Sequence, residues 1–172
     1  MNASSPFLIR TILPAEHAAL GDLTVEAYHR GGMLLGGLDD PYAPRLRDVA
    51  HRAASAHVLV AVEAGPGTAV LGGVTLAFAG SAMAELAGPG ESEIRMLAVA
   101  PDAQGRGVGM ALVAECVERS RAQGVKRMVL CSQREMRGAH RIYGRFGFQR
   151  APELDWEPVP EVPLWGFELD LG

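Results

Sequence analysis

Val99-Ala100-Pro101-Asp102-Ala103-Gln104-Gly105-Arg106-Gly107-Val108-Gly109 reads as a strand end, a stop at Pro101, a glycine-dense loop and a helix start. Glycines at alternate positions clear the Cβ atoms from one side of the turn, so a ligand can approach the backbone closely. The helix that follows begins with unpaired N–H groups and the positive end of its dipole, a ready seat for phosphate or pyrophosphate. Gln104 adds a donor and Arg106 a fixed positive charge beside the loop. The bland alternative is a glycine-rich turn ahead of an ordinary helix.

What is missing narrows the ligand. A P-loop requires Lys-Ser or Lys-Thr after its glycines, and neither dipeptide follows here. A dinucleotide fingerprint requires G-x-G-x-x-G and an acid at the end of the next strand; here the spacing is G-x-G-x-G and that strand ends at Leu130-Cys131-Ser132. The spacing Gln104-x-x-Gly107-x-Gly109 resembles the acyl-coenzyme A pyrophosphate loop of the GNAT superfamily of N-acetyltransferases.

The flanks agree. Ser92 to Val99 reads as a strand entering the loop, its imperfect alternation fitting burial on both faces. Val108, Leu112, Val113, Cys116 and Val117 recur with helical period, Gly124 is placed to end that helix, and Val125 to Cys131 is a second strand. Ala139-His140-Arg141-Ile142-Tyr143-Gly144-Arg145-Phe146-Gly147-Phe148 resembles the second GNAT signature, a helix of the type A-x-x-x-Y-x-x-x-G-F. Ala139, Ile142, Tyr143 and Phe146 share one helix face, and Gly147 sits where a left-handed cap is expected. The resemblance covers about residues 92 to 150.

At 172 residues the chain fits a single domain over 1–172 with room for a sizeable core. Its 48% apolar and 21% charged residues are those of an ordinary globule, and a net charge of −4 argues against a nucleic-acid footprint, which is usually basic. Cys116 and Cys131 fall in a predicted helix and strand and are expected reduced and buried. Met1 to Arg10 has no basic n-region and no long apolar run, so no signal peptide is read. Ala69 to Ala87 is apolar but reads as strands rather than a membrane span, and the default location is cytoplasmic. Five histidines form no HExxH pair, so no metal site is expected.

Along the remainder, Phe7 to Leu13 reads as a strand and Ala15 to Tyr28 as a helix. Gly31 to Pro44 reads as a loop and Arg45 to Ala56 as a second helix. His57 to Glu63 and Ala69 to Gly80 form a hairpin turning at Gly65-Pro66-Gly67. Ser81 to Glu91 reads as a flexible connection or small insertion, Pro152 to Pro163 as a loop and Leu164 to Leu171 as the last strand. The resemblance implies an α/β (α+β) fold: a mixed, mostly antiparallel central sheet of about six to seven strands flanked by about four helices, in the order β-α-α-β-β-β-α-β-α-β-β.

It also implies a chemistry. Acetyl-CoA would serve as co-substrate, its pantetheine arm against Leu97, Ala98 and Val99 and its pyrophosphate on Gln104, Gly105, Arg106, Gly107, Val108, Gly109 and Met110, with Ala139 and Tyr143 completing the cofactor contacts. A backbone N–H near Leu97 would face the thioester carbonyl, an oxyanion contact worth roughly 3 kcal/mol when lost. Tyr143 is the candidate general acid, because a phenol is protonated at neutral pH and can donate to a departing thiolate. Glu93 is the candidate general base, with a solvated residue or a partner of Arg95 as the alternative and Glu91 as substitute. One departure stands out: many members carry an asparagine where this chain has Met136, which cannot make the same hydrogen bonds.

The acceptor would enter between 28–44 and 151–165. Tyr28, Tyr42 and Trp156, with Glu93, are the candidate substrate contacts, and the nearby Asp39, Asp40, Glu153, Asp155, Glu157 and Glu161 would give an acidic rim suited to a cationic amine. Solvated loop acids and aromatic plugs are the alternative. The expected partner is a small-molecule or peptide amine, with no nucleic acid and no membrane; a homodimer is compatible with the resemblance. Small amine, amino acid, aminoglycoside-like compound and protein N-terminus all stay open. A non-catalytic acyl-CoA-binding or regulatory domain on the same fold is the competing function, and it needs neither Tyr143 nor Glu93.

Overall fold

The computed structural model describes residues 6–65 and 69–172. The elements run β1 (Phe7–Thr11), α1 (His17–Arg30), α2 (Ala43–Arg47), α3 (Val49–Ser55), β2 (His57–Glu63), β3 (Val70–Phe78), β4 (Glu91–Val99), α4 (Val108–Ala122), β5 (Arg127–Gln133), α5 (Arg137–Phe146), β6 (Gln149–Arg150) and β7 (Leu164–Asp170). They build one seven-stranded sheet in the order β1-β2-β3-β4-β5-β7-β6. All neighbours are antiparallel except β4 and β5. The expected mixed, mostly antiparallel sheet and its element order are therefore found, with the second helix divided in two.

The division has a local cause. Asp48 leaves the helical region at φ −78°, ψ 72°, and its carboxylate accepts the His51 N–H at 3.0 Å, capping α3 as α2 ends. The buried Arg52 then donates to the Leu46 carbonyl at 2.6 Å, tying the two short helices together. Ser81 to Glu91 reads as a flexible connection or small insertion; up to the start of β4 it is wound into turns held by hydrogen bonds to Glu91 and Glu93. Within the β2–β3 turn, Pro66 and Gly67 lie outside the described residues.

Helices cover both faces of the sheet. Leu20, Leu23 and Val49 of α1 and α3 pack on Val58, Val60 and Val62 of β2. On the other face Leu112, Val113, Cys116 and Val117 of α4 join Tyr143 of α5 against Leu59, Leu76, Ile94, Met128 and Leu130. Cys116 is buried and free, and burial pushes its thiol well above the ordinary range. Cys131 departs from its expected burial: it is free but partly exposed, because β5 is uncovered where it leaves β4.

The feature that positions the site is a split in the sheet. β4 and β5 pair only from Glu91↔Arg127 to Ile94↔Leu130. Beyond Ile94 the two strands follow different partners: β4 stays with β3, while β5 stays with β7 through Gln133. At that point β4 bulges. Thr75 faces Arg95 and Gly73 faces Ala98, so Met96 and Leu97 together oppose Val74 alone. Met96 takes φ 52°, a left-handed value that a side chain rarely adopts. The bulge turns β4 away from β5 and opens a wedge between them.

Gly72 lets β3 and β4 approach closely below the wedge. A Cβ there would lie 2.7 Å from the Ala98 carbonyl oxygen and 3.1 Å from Val108 Cγ1. Gly72→Ala is therefore expected to lower unfolding free energy by about 1–3 kcal/mol, read from the urea midpoint; an unchanged midpoint contradicts the tight fit.

Candidate active site

Two cavities meet in the wedge. The first, of about 710 Å³, runs along the end of β4 and the start of α4. Leu97, Ala98, Val99, Gln104, Gly105, Gly107, Val108, Gly109, Met110 and Ala139 all line it, so these expected cofactor contacts come together on one surface. The second, of about 550 Å³, opens on the far side of the split and is lined by Tyr28, Tyr42, Tyr143 and Trp156 among others. Tyr28, Met33, Leu97 and Met136 line both, so the cavities adjoin.

The loop has the backbone needed for an anion. Gly105 and Gly107 take φ 76° and 83°, values that glycine adopts at little cost. Among the described residues, the N–H groups of Val108, Gly109 and Met110 donate to no protein acceptor, and the first bond of the α4 start runs from Ala111 N–H to the Gly107 carbonyl at 3.0 Å. Gly109 also serves packing: a Cβ would lie 2.7 Å from Ile142 Cδ1, so any larger residue would make the Ile142 side chain shift.

The charge beside the loop is not where the sequence reading put it. Arg106 turns to Glu63 at 3.4 Å and does not line the cavity, because its side chain leaves the opposite side of the turn. The cations that do line it are Arg30 from α1 and Arg137, Arg141 and Arg145 from α5. The last three recur every fourth residue on one helix face, a signal present in the sequence but read only for its apolar stripe.

Tyr143 lies at the split, 4% exposed, its ring against Phe148 and Phe167. Among the described residues its hydroxyl has no hydrogen-bond partner. Burial drives its pKa above the ordinary 10, so the phenol holds its proton at neutral pH. Cys131, on the same cavity wall, is likewise raised by burial. Met136 occupies the position of the usual asparagine, where its sulfur accepts the Ser132 hydroxyl at 3.3 Å. Ser132 also meets His140 Nε2 at 3.0 Å, and burial holds this imidazole below its ordinary pKa.

Glu93 is held in the interior beside Arg95. It is 1% exposed and lines neither cavity. One carboxylate oxygen accepts the N–H groups of Glu85, Leu86 and Ala87 at 2.8, 2.7 and 3.2 Å, and the other lies 3.7 Å from Arg95. This carboxylate organises the 85–87 loop through one oxygen and makes only the longer ion-pair contact through the other. Its substitute, Glu91, is paired with Arg127 at 2.6 Å. The acid facing the second cavity from this region is Glu85, which lies 3.0 Å from Arg95. Of the acids named for the rim, Asp40 lines this cavity, joined there by Glu85; Asp155 is bound to Arg150 at 2.8 Å, and Asp39, Glu153, Glu157 and Glu161 do not line it.

Comparison with known proteins identifies the fold, then the family. An acetyltransferase of the GNAT family from Staphylococcus aureus Mu50 superposes with a TM-score of 0.76 at 14% identity, covering 96% of this chain and 99% of that one. Salmonella typhimurium yncA, described as an acetyltransferase and solved with its cofactor acetyl-CoA, gives 0.70 at 21% identity over 97% and 95%. The PaiA N-acetyltransferase of Thermoplasma acidophilum, solved with coenzyme A, gives 0.71 at 14% over 95% and 98%. The model of the Acetyltransferase (GNAT) family matches residues 24–148, and the chain belongs to that family. An uncharacterized N-acetyltransferase of Schizosaccharomyces pombe is 33% identical over 82 residues, 48% of this chain; the match spans about half the length of that relative, 50%.

Replacing Glu93 by Gln keeps the shape but weakens the bonds to the 85–87 loop. Unfolding free energy is expected to fall by about 1.5–3 kcal/mol, measured by urea titration. Turnover of the folded enzyme should stay within about fivefold, since a lost general base typically costs ~10²–10⁴. A loss in that higher range at unchanged stability contradicts the structural role.

Proposed function

We propose that the protein is an N-acetyltransferase that moves an acetyl group from acetyl-CoA to a primary amine of a small molecule or peptide, by direct attack in a ternary complex. The observation that carries the reading is that the two cavities adjoin at the split between β4 and β5, with Leu97 and Met136 in the walls of both. One side suits a long phosphorylated carrier, the other admits an acceptor, and the reacting groups meet without leaving the cleft.

Acetyl-CoA fits the first cavity on the chemistry of its walls. The free N–H groups of Val108, Gly109 and Met110 suit a pyrophosphate, and Arg137, Arg141 and Arg145 supply the positive charge its phosphates require. Beyond Ile94 the edge of β4 towards β5 has no strand partner, so its backbone is available to the amides of a pantetheine arm. When bound, the thioester supplies an activated acyl group.

The remaining roles belong to side chains. Leu97, at the junction, places a backbone edge beside the acyl carbonyl, the arrangement an oxyanion contact needs. Tyr143 Oη donates the proton that the departing sulfur takes up as it leaves as a thiol, and the phenolate left behind takes the proton that the acylated nitrogen sheds. The dry surroundings that raise the phenol pKa also raise a thiol, as at Cys131, so the sulfur's demand for a proton rises in step with the phenol's hold on it. Tyr28, Tyr42 and Trp156 enclose the acceptor, while Glu93 holds the loop and Arg95 that floor the pocket.

Tyr143→Phe removes the donor and preserves the ring. Turnover, followed by release of free thiol, is expected to fall by tenfold or more with acetyl-CoA affinity unchanged. Unchanged turnover contradicts the acid role.

A further inference from the structure

The acceptor cavity carries information about its ligand, and the inference drawn from it rests on the acetyltransferase reading above. Its walls are mostly apolar from mouth to junction. At the mouth stand Leu35, Val159 and Trp156, exposed by 66%, 53% and 37%, unusual for large apolar side chains unless they meet a ligand. Ile94, Met96 and Leu97 continue that surface inward to Tyr143.

The charged groups that reach this cavity are two acids and two arginines, each engaged with other protein groups. Both carboxylate oxygens of Asp40 accept backbone N–H groups, from Gly36 at 3.0 Å and Tyr42 at 2.8 Å. Arg95 donates to the Met83 carbonyl at 2.7 Å and lies 3.0 Å from Glu85. Arg45 lies 3.5 Å from the same Glu85 oxygen and 5.9 Å from the Tyr42 ring centroid. A ligand with several ammonium groups would desolvate them against Met, Leu and Val walls, where the two acids, Asp40 and Glu85, are matched by the two arginines, Arg45 and Arg95, so the lining offers no net negative charge to offset that cost. A ligand with one amine and an apolar body covers the exposed mouth and carries its single nitrogen to the polar junction at Tyr143 and Ser132.

We propose that the acceptor is a primary monoamine with an alkyl or aryl body, seated between Leu35, Trp156 and Val159 at the mouth and Leu97 at the junction. Polyamines and aminoglycosides are poor acceptors by the same geometry.

The test uses the whole chain and free-thiol release from acetyl-CoA. Phenethylamine and hexylamine are compared with spermidine and kanamycin. The expected kcat/KM for the two apolar amines exceeds that for the polycations by tenfold or more. Trp156→Ala and Val159→Asp, both at exposed positions, each raise KM for phenethylamine about fivefold and leave acetyl-CoA affinity unchanged, which also reports that the variants fold. Equal or better use of spermidine or kanamycin, or variants that leave the preference intact, overturns the proposal. Should acetyl-CoA bind and no amine release thiol, the transferase reading itself fails. Calorimetric titration of the acetyl-CoA complex then decides the pocket: phenethylamine binding more tightly than spermidine upholds its chemistry, and the reverse order, or no binding by either, overturns it.

Discussion

The parallel pairing of β4 with β5 ends at Ile94 and Leu130, and the site depends on that ending. Had the pairing continued, the backbone of Arg95 to Val99 would be consumed by strand hydrogen bonds and the two cavities would be closed off from each other. The ending is enforced from both sides. β3 claims β4 across a bulge, with Met96 at a positive φ, and β7 claims β5 through Gln133. Strain at Met96, of the order of 1–3 kcal/mol for such a conformation, is held by the surrounding sheet. Its position at the mouth of the wedge ties it to function.

Around that split the elements divide the labour. The β4–α4 turn supplies a concave backbone of free N–H groups, and α5 contributes on two faces at once. Its apolar face carries Tyr143 into the core, and its basic face carries Arg137, Arg141 and Arg145 along the first cavity. Gly109, with no side chain, leaves room beside α4 for Ile142 of α5. On the acceptor side, α1 and the turns before α2 bring Tyr28 and Tyr42, and the segment before β7 brings Trp156. Glu93 is buried beneath, fixing the 85–87 loop and Arg95 so that the pocket floor is electrostatically satisfied before any ligand arrives.

Much of this was legible in the sequence, because local signals govern it. The glycine loop, the helical stripe from Val108, and Gly147, which takes φ 89° at the end of α5, follow from backbone conformation and periodicity. What escaped was tertiary. The register that ends β4–β5 pairing has no local signature, and a non-glycine residue at positive φ is not predicted by propensity. Glu93 was read as a base because a carboxylate on this strand suits the chemistry; its donors are backbone N–H groups from a turn six to eight residues upstream, which composition does not reveal. Arg106 was read as the loop's charge because it sits in the motif, whereas the arginines at every fourth position of α5 drew no reading beside the apolar stripe of the same helix. The break at Asp48 was hidden by helix-compatible residues on both sides.

Calorimetric titration with acetyl-CoA, with ATP and NAD as controls, tests the central claim most directly, applied to the native chain and to Gly107→Glu. The account predicts saturable binding of acetyl-CoA in the micromolar range or tighter, no comparable binding of ATP or NAD, and loss of acetyl-CoA binding in a variant that remains folded. No binding of acetyl-CoA, a preference for ATP or NAD, or undiminished affinity in Gly107→Glu would contradict it.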